Sequence, residues 1–175
     1  LGFFREMKDK SNKELKNLLG MIQNFGLLVL MLWFAFAFFL GIKMAPNDDM
    51  KPRISAGDIL VYYRIDKDPS AQDVVVLKKN DTDYVGRVVA VEGDTVDITD
   101  ESALIVNGNM VIEDMIYYTT PRYEGFVEYP VKLKQGECFV LADKREGGED
   151  SRYYGPVNKK EIKGTVIGQF RRSNI

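Results

Sequence analysis

Apolar residues follow two regimes along this chain. Positions 18–42 contain no charged residue, and positions 25–42 read F-G-L-L-V-L-M-L-W-F-A-F-A-F-F-L-G-I without a strongly polar side chain. As helix, those 18 residues, or 25 with Gln23 and Asn24 at the interface, rise roughly 27–38 Å against a hydrocarbon core of about 30 Å. The pattern predicts a transmembrane helix over 18–42. A buried core helix and a cleaved signal peptide are the alternatives. The run exceeds the ~7–15 residues of a signal-peptide core, and Met44-Ala45-Pro46 puts proline where a cleavage site is extended and small.

After residue 43 the chain changes to short β-rich runs: 59–65, 74–77, 84–91, 95–98, 104–106, 110–112, 126–131, 139–142 and 165–170. That spacing predicts a mainly β domain, an antiparallel sandwich or barrel rather than βαβ units. Asn107-Gly108 between two apolar runs is a type I′ hairpin signal, and Glu92-Gly93-Asp94 turns one strand into the next. No helix-length amphipathic run, repeat or linker follows residue 43. The predicted organisation is a tail over 1–17, the span over 18–42 and one β domain over 43–175, long enough to bury roughly two thirds of its unfolded surface.

The flanks of the span set its expected orientation. Arg5, Lys8, Lys10, Lys13 and Lys16 precede it, whereas Lys43, Lys51 and Arg53 follow it at a similar distance. The bias predicts a cytoplasmic N-terminus, a single pass through the cell membrane and an extracellular C-terminal domain. The tail carries +2 (five basic residues against Glu6, Asp9 and Glu14) and the whole chain −2, which leaves −4 for the β domain.

Composition narrows the chemistry. The chain has no histidine, which excludes Ser-His-Asp and Cys-His catalysis, and its one cysteine, Cys138, leaves no internal disulfide and no ordinary zinc site. No metal or cofactor is expected. A near-neutral mixture of charges argues against a nucleic-acid partner. Cys138, ahead of an apolar run, reads as a small buried residue. The segment 115–131 gathers Met115, Tyr117, Tyr118, Tyr123, Phe126 and Tyr129 around Pro121 and Pro130. We assign Phe126 to the core and Tyr123 to the surface.

Three segments carry a resemblance. D-M-K-P-R-I-S-A-G-D (49–58), Y-V-G-R-V-V-A-V-E-G-D (84–94) and A-D-K-R-E-G-G-E-D-S-R-Y-Y-G (142–155) resemble, in order and spacing, the signature boxes of type I signal peptidases. The resemblance implies a membrane-anchored β fold with its active domain outside, using a serine nucleophile and a lysine general base. Asp49 stands at the serine position, Gly86 at the lysine position, and Gly148 where the family commonly has a serine that positions the lysine. Pro52, Gly57, Asp58, Arg87, Gly93, Asp94, Asp143, Arg145, Asp150, Ser151, Arg152 and Gly155 all match, and Asp143, Arg145, Asp150, Ser151 and Arg152 are expected to form a polar network that fixes the loops. The resemblance therefore implies a retained fold with deleted catalysis.

Asp in place of serine and Gly in place of lysine resembles the inactive signal peptidase-like factor that Gram-positive cocci use to assemble surface pili. That likeness implies a chaperone or assembly role toward a pilin or other secreted polypeptide, or toward a sortase. The binding cleft would involve Asp49, Met50, Pro52 and Gly86 and take its partner as an added strand, a mode that needs no catalytic side chain. Asp49 is expected at the cleft mouth, and a bulky residue at 86 is expected to block the cleft without unfolding the domain.

Other chemistry can be weighed from the residues. An Asp48–Asp49 carboxylate pair would need both side chains on one side, whereas neighbours in an extended segment diverge. Ser55 with Lys78 or Lys79 would need a desolvated lysine, and Lys78-Lys79 beside Asn80 and Asp81 reads as a solvated turn. Gly86 within a strand marks a bulge, a close backbone approach or drift after loss of lysine. The rival readings are an endopeptidase with relocated catalytic residues and a purely structural anchor.

Overall fold

The computed structural model describes residues 2–113, 116 and 118–171, with side chains from Lys13 onward. Met115 and Tyr117 of the aromatic segment lie outside the described residues, and so do the side chains of Arg5, Lys8 and Lys10. The chain divides into two units at Phe39/Leu40.

The first unit is one helix, α1 (Gly2–Phe39), within which Lys13–Phe39 is long and apolar enough to cross a membrane. Its apolar side chains are exposed: Phe25, Trp33 and Phe36 are each more than 60% accessible. An apolar segment that buries none of its described side chains in protein suits a lipid environment. It ends at Phe39, three residues short of the predicted boundary, because Leu40–Met44 forms strand β1.

The second unit is antiparallel β. Its strands after β1 are β2 (Ile59–Tyr63), β3 (Val74–Lys79), β4 (Thr82–Ala90), β5 (Thr95–Ile98), β6 (Leu104–Val106), β7 (Asn109–Met110), β8 (Val131–Lys132), β9 (Glu137–Leu141), β10 (Val157–Asn158) and β11 (Ile162–Phe170). One sheet runs β1-β2-β11-β3-β4-β9-β10 and a smaller one β7-β6-β5-β8. Helical structure in this unit is limited to α2 (Ser151–Tyr154) and a 3₁₀ turn at Lys159–Glu161 among the described residues.

β1 pairs with β2 over five residues, from Leu40↔Tyr63 to Met44↔Ile59. The ring of Tyr62 passes over Gly41, where a Cβ would lie 2.1 Å from its Cζ, so glycine is required there. At the hairpin between β6 and β7, Asn107 and Gly108 take φ of 54° and 80°, the two positive values a type I′ turn needs. The carboxylate of Asp94, after Gly93, accepts from the Val91 N–H at 2.9 Å and closes the predicted turn.

The predicted strand over 126–131 survives only as β8. Gly125, at φ 79°, continues a turn through Phe126, and Pro130 has no N–H for a ladder. Leu60, Tyr62, Val76 and Val85 pack with Met50 and Ile54 on one face of the large sheet, while Val75, Leu77, Val88, Cys138 and Val140 pack on the other. A third cluster joins Phe139 and Leu141 to Val96, Ile98 and Leu104 of the small sheet.

Candidate functional site

The first box is a turn rather than an extended segment: the Lys51 N–H donates to Asp48 O and the Ile54 N–H to Met50 O. Even so, Asp48 and Asp49 diverge. Asp48 accepts from the Ala56 N–H at 2.9 Å and pairs with Lys51 at 2.8 Å. The Asp49 carboxylate accepts from Asn47 Nδ2 at 2.7 Å, and its backbone carbonyl accepts from the Lys144 N–H at 2.8 Å. That last bond ties the first box to the third.

The three chemical positions gather against the end of β9. A Cβ on Gly148 would lie 2.6 Å from Ala142 Cβ, 2.9 Å from the Lys144 carbonyl and 3.9 Å from Asp49 Cγ. A Cβ on Gly86 would lie 2.5 Å from Val140 Cγ1 and 3.3 Å from the Leu141 carbonyl. Val140 therefore fills the space a side chain at 86 would need. It gets there because Val140 is registered with Val88, two residues along β4 and on the same face as Gly86. The room at Gly86 faces the interior, so a bulky residue there meets the core instead of an open cleft, which corrects the sequence expectation.

Burial raises the Asp49 carboxyl from its ordinary value, opposed by hydrogen bonds from the Glu149 N–H and Asn47. Met50, expected to bind a partner, is 1% exposed and belongs to the core with Ile54 and Val85. Pro52 is exposed. The Ser55–lysine alternative is not assembled: Lys78 pairs with Asp81, and Lys79 Nζ bonds Glu161 at 3.0 Å and the Pro156 carbonyl at 2.7 Å. Cys138 is buried, which pushes its thiol up to about 12 and leaves it unreactive. Among the described residues no cluster has metal-binding composition.

The polar network is present and buried. Arg87 donates from Nε and Nη2 to both Asp143 oxygens at 2.7 and 2.6 Å. Arg145 reaches the Ala142 carbonyl, Thr120 Oγ1 and Glu113 Oε2 at 2.7, 2.8 and 2.5 Å. Arg152 forks onto Asp150, which also accepts from the Ala142 N–H, and Ser151 Oγ accepts from the Val140 N–H. Every bond ends on the 140–152 segment or anchors it, so the network holds the loop that faces Asp49.

Two aromatic assignments are reversed. Tyr123 is half-buried, donates to the Gly148 carbonyl at 3.0 Å and lies under the Arg152 guanidinium at 4.4 Å. Phe126 is 55% exposed and stacks on Tyr153. The sequence does not show the half-buried place of Tyr123 because its acceptors lie in the third box, 22 and 25 residues away. Val140 was missed because nothing in a run F-V-L marks which glycine it faces.

Backbone edges flank the site. β1 is a terminal strand of its sheet, and β9 joins β4 only from Arg87 onward, leaving Thr82–Gly86 without a strand partner on that side among the described residues. Lys43 of β1 and Asp83 of β4 form an ion pair at 2.5 Å.

Comparison with known proteins finds signal peptidases among those similar to this chain. A solved signal peptidase I of Enterococcus faecalis V583 aligns at 23% identity with a TM-score of 0.48, over 57% of this chain and 97% of that one. Among curated relatives, a probable signal peptidase I-2 of Synechocystis is 27% identical over 73% of this chain, and signal peptidase I S of Bacillus subtilis is 36% identical over 53%. The chain spans only 62% and 54% of the length of those two. Signal peptidase I of Bacillus licheniformis is 26% identical over 90% of this chain and 91% of its own length. The family model for signal peptidase, peptidase S26, matches residues 18–170. The chain belongs to the signal peptidase family, peptidase S26.

Proposed function

We propose that this chain is a non-catalytic member of its family, a membrane-anchored chaperone or assembly factor that binds a pilin or another secreted polypeptide outside the cell, with a sortase as the alternative partner. The observation that carries the reading is the state of the dyad positions. Asp49 offers a carboxylate that burial biases toward protonation, and the space of a lysine at 86 is taken by Val140. Neither group generates a serine alkoxide, and no histidine can substitute.

A binding role fits the same geometry. The free edge of β1 and the unpaired stretch Thr82–Gly86 offer backbone donors and acceptors to an extended chain, the requirement for strand addition. The test reconstitutes the full chain in lipid with a secretory precursor and, separately, crosslinks it in intact cells that assemble pili. Expected are an uncleaved precursor and a crosslink to a pilin that competes with an extended peptide. Cleavage at a defined small-residue site, lost in Asp49→Ala, would favour the relocated endopeptidase instead.

A further inference from the structure

One end of the large sheet is basic although the domain as a whole is acidic. Leu40, the residue after α1, pairs with Tyr63, and Tyr63 pairs with Thr165. Arg64 and Lys67 follow Tyr63 in the chain, while Lys160 and Lys163 precede Thr165, so the register brings all four to the end of the sheet at which the chain leaves α1. Together with Lys78, Tyr62, Glu161 and Ile162 they line an open cavity of about 590 Å³. A second cavity of about 420 Å³ shares Lys67 and Lys160 and adds Ile65, Asp66, Asp68 and Lys159.

The charges there are unevenly neutralised. Lys163 pairs with Asp83, Lys78 with Asp81, Lys159 with Asp68, and Glu161 is held by Lys79. Asp66 accepts the Asp68 N–H of its own loop. Arg64, Lys67 and Lys160 are exposed and have no carboxylate within ion-pair distance among the described residues. Ile65, between Arg64 and Lys67, is 48% exposed and adds an apolar tip to the cationic loop.

We infer that this end of the sheet docks on the phosphate headgroups of anionic phospholipids in the bilayer that α1 crosses. The inference rests on α1 as a membrane span and is independent of what the cleft binds. Neighbouring strands lie about 4.8 Å apart and residues about 3.3 Å apart along them. Arg64 is thus one strand and one residue from Leu40, which leaves the span without a linker. The attraction of a cation to an anionic surface is felt within a Debye length of about 8 Å in physiological salt. The register puts Arg64 inside that distance of the point where the chain emerges, and Lys67 and Lys160 border the same cavities.

The experiment places the full chain in nanodiscs of phosphatidylcholine alone or with one third phosphatidylglycerol, and follows amine acylation of each lysine by mass spectrometry. Lys67 and Lys160 should react at least about threefold more slowly in the anionic discs, with the difference removed by 1 M salt, where the Debye length falls to about 3 Å. Lys134 and Lys144, exposed elsewhere, should react equally in both. In Lys67→Glu with Lys160→Glu, checked for an unchanged melting profile, the remaining Lys78 should lose its protection. Equal rates for Lys67 and Lys160 in the two discs overturn the inference. Equal slowing by millimolar inorganic phosphate in phosphatidylcholine discs overturns it as well, since the site would then serve a soluble phosphate.

Discussion

Val140 and Gly86 share one space: Val140 Cγ1 lies 2.5 Å from the point where a Cβ on Gly86 would be, and both residues are buried. No Cβ tolerates that distance, so even one added carbon displaces Val140 or bends β4. Overpacking of a filled core costs about 1–3 kcal/mol. Gly86→Ala should therefore destabilise the domain by about that amount in urea unfolding, although alanine is the better strand residue at an unconstrained site. Adding Val140→Ala should recover part of the loss, with a coupling of about 0.5–3 kcal/mol in the double-mutant cycle. Gly86→Trp should fail to fold. An alanine variant as stable as the parent would show that the close approach is relaxed in solution.

The same geometry bears on reactivation. Asp49→Ser, Gly86→Lys and Gly148→Ser together place the family's groups at the family's positions. The lysine must first displace Val140, and a serine at 148 meets Ala142 Cβ at 2.6 Å and the Lys144 carbonyl at 2.9 Å. A general base works only within about 3 Å of its proton, and a misplacement of ~1 Å can cost 100-fold. The triple variant should leave a secretory precursor uncut. Turnover comparable to an active family member would mean that the backbone of the three boxes had not drifted.

Asp49 gives a pH signature. Its folded-state carboxyl is raised, first by burial and then by Asp150 and Glu149, with Asn47 and the Glu149 N–H working against the shift. A carboxyl raised on folding binds its proton more tightly in the native state, so its ionisation opposes folding above the raised value. That opposition fades as pH falls through the raised value to the unfolded one. Asp49→Asn keeps the shape and removes the charge. It should be more stable than the parent at pH 7, with the gap narrowing toward pH 3.5. A variant less stable at pH 7 would mean that the bonds from Asn47 and Glu149 outweigh the loss of water.

What the sequence made legible follows the physics of each feature. Alternating runs and positive-φ turn residues are local, so most strands and the Asn107-Gly108 hairpin were readable within a few residues. β1 was not, because its apolar residues continue those of α1 and only pairing with β2 separates them. The boxes located Asp49, Gly86 and Gly148, and a Cβ on Gly148 would lie 3.9 Å from Asp49 Cγ. Their walls were not legible. Val140 is one valine among many until the register with Val88 is known, and the partners of Arg145 lie 25 and 32 residues away in a segment without a local pattern.

The buried pair Arg87–Asp143 allows a prediction that separates its two halves. Asp143 is 1% exposed and accepts both of its side-chain contacts from one guanidinium, so removing Arg87 leaves a carboxylate with no ion-pair partner among the described residues. Arg87 is also buried, yet its Nη1 already donates to the Gln72 carbonyl, and the side chain borders a cavity of about 300 Å³ with Gln72, Asp73 and Gln169. A cavity of that size admits water, which can hydrate a guanidinium that has lost its carboxylate. Breaking a buried pair from one side costs about 3–5 kcal/mol when the survivor is uncompensated. Arg87→Met should reach that range in urea unfolding at pH 7, and Asp143→Leu should cost less. The double variant should be more stable than Arg87→Met alone, because it leaves no buried charge. If the two single variants lost equal stability and their effects added in the double, the pair would be behaving as two independent contacts, and the cavity beside Arg87 would have no part in its energetics.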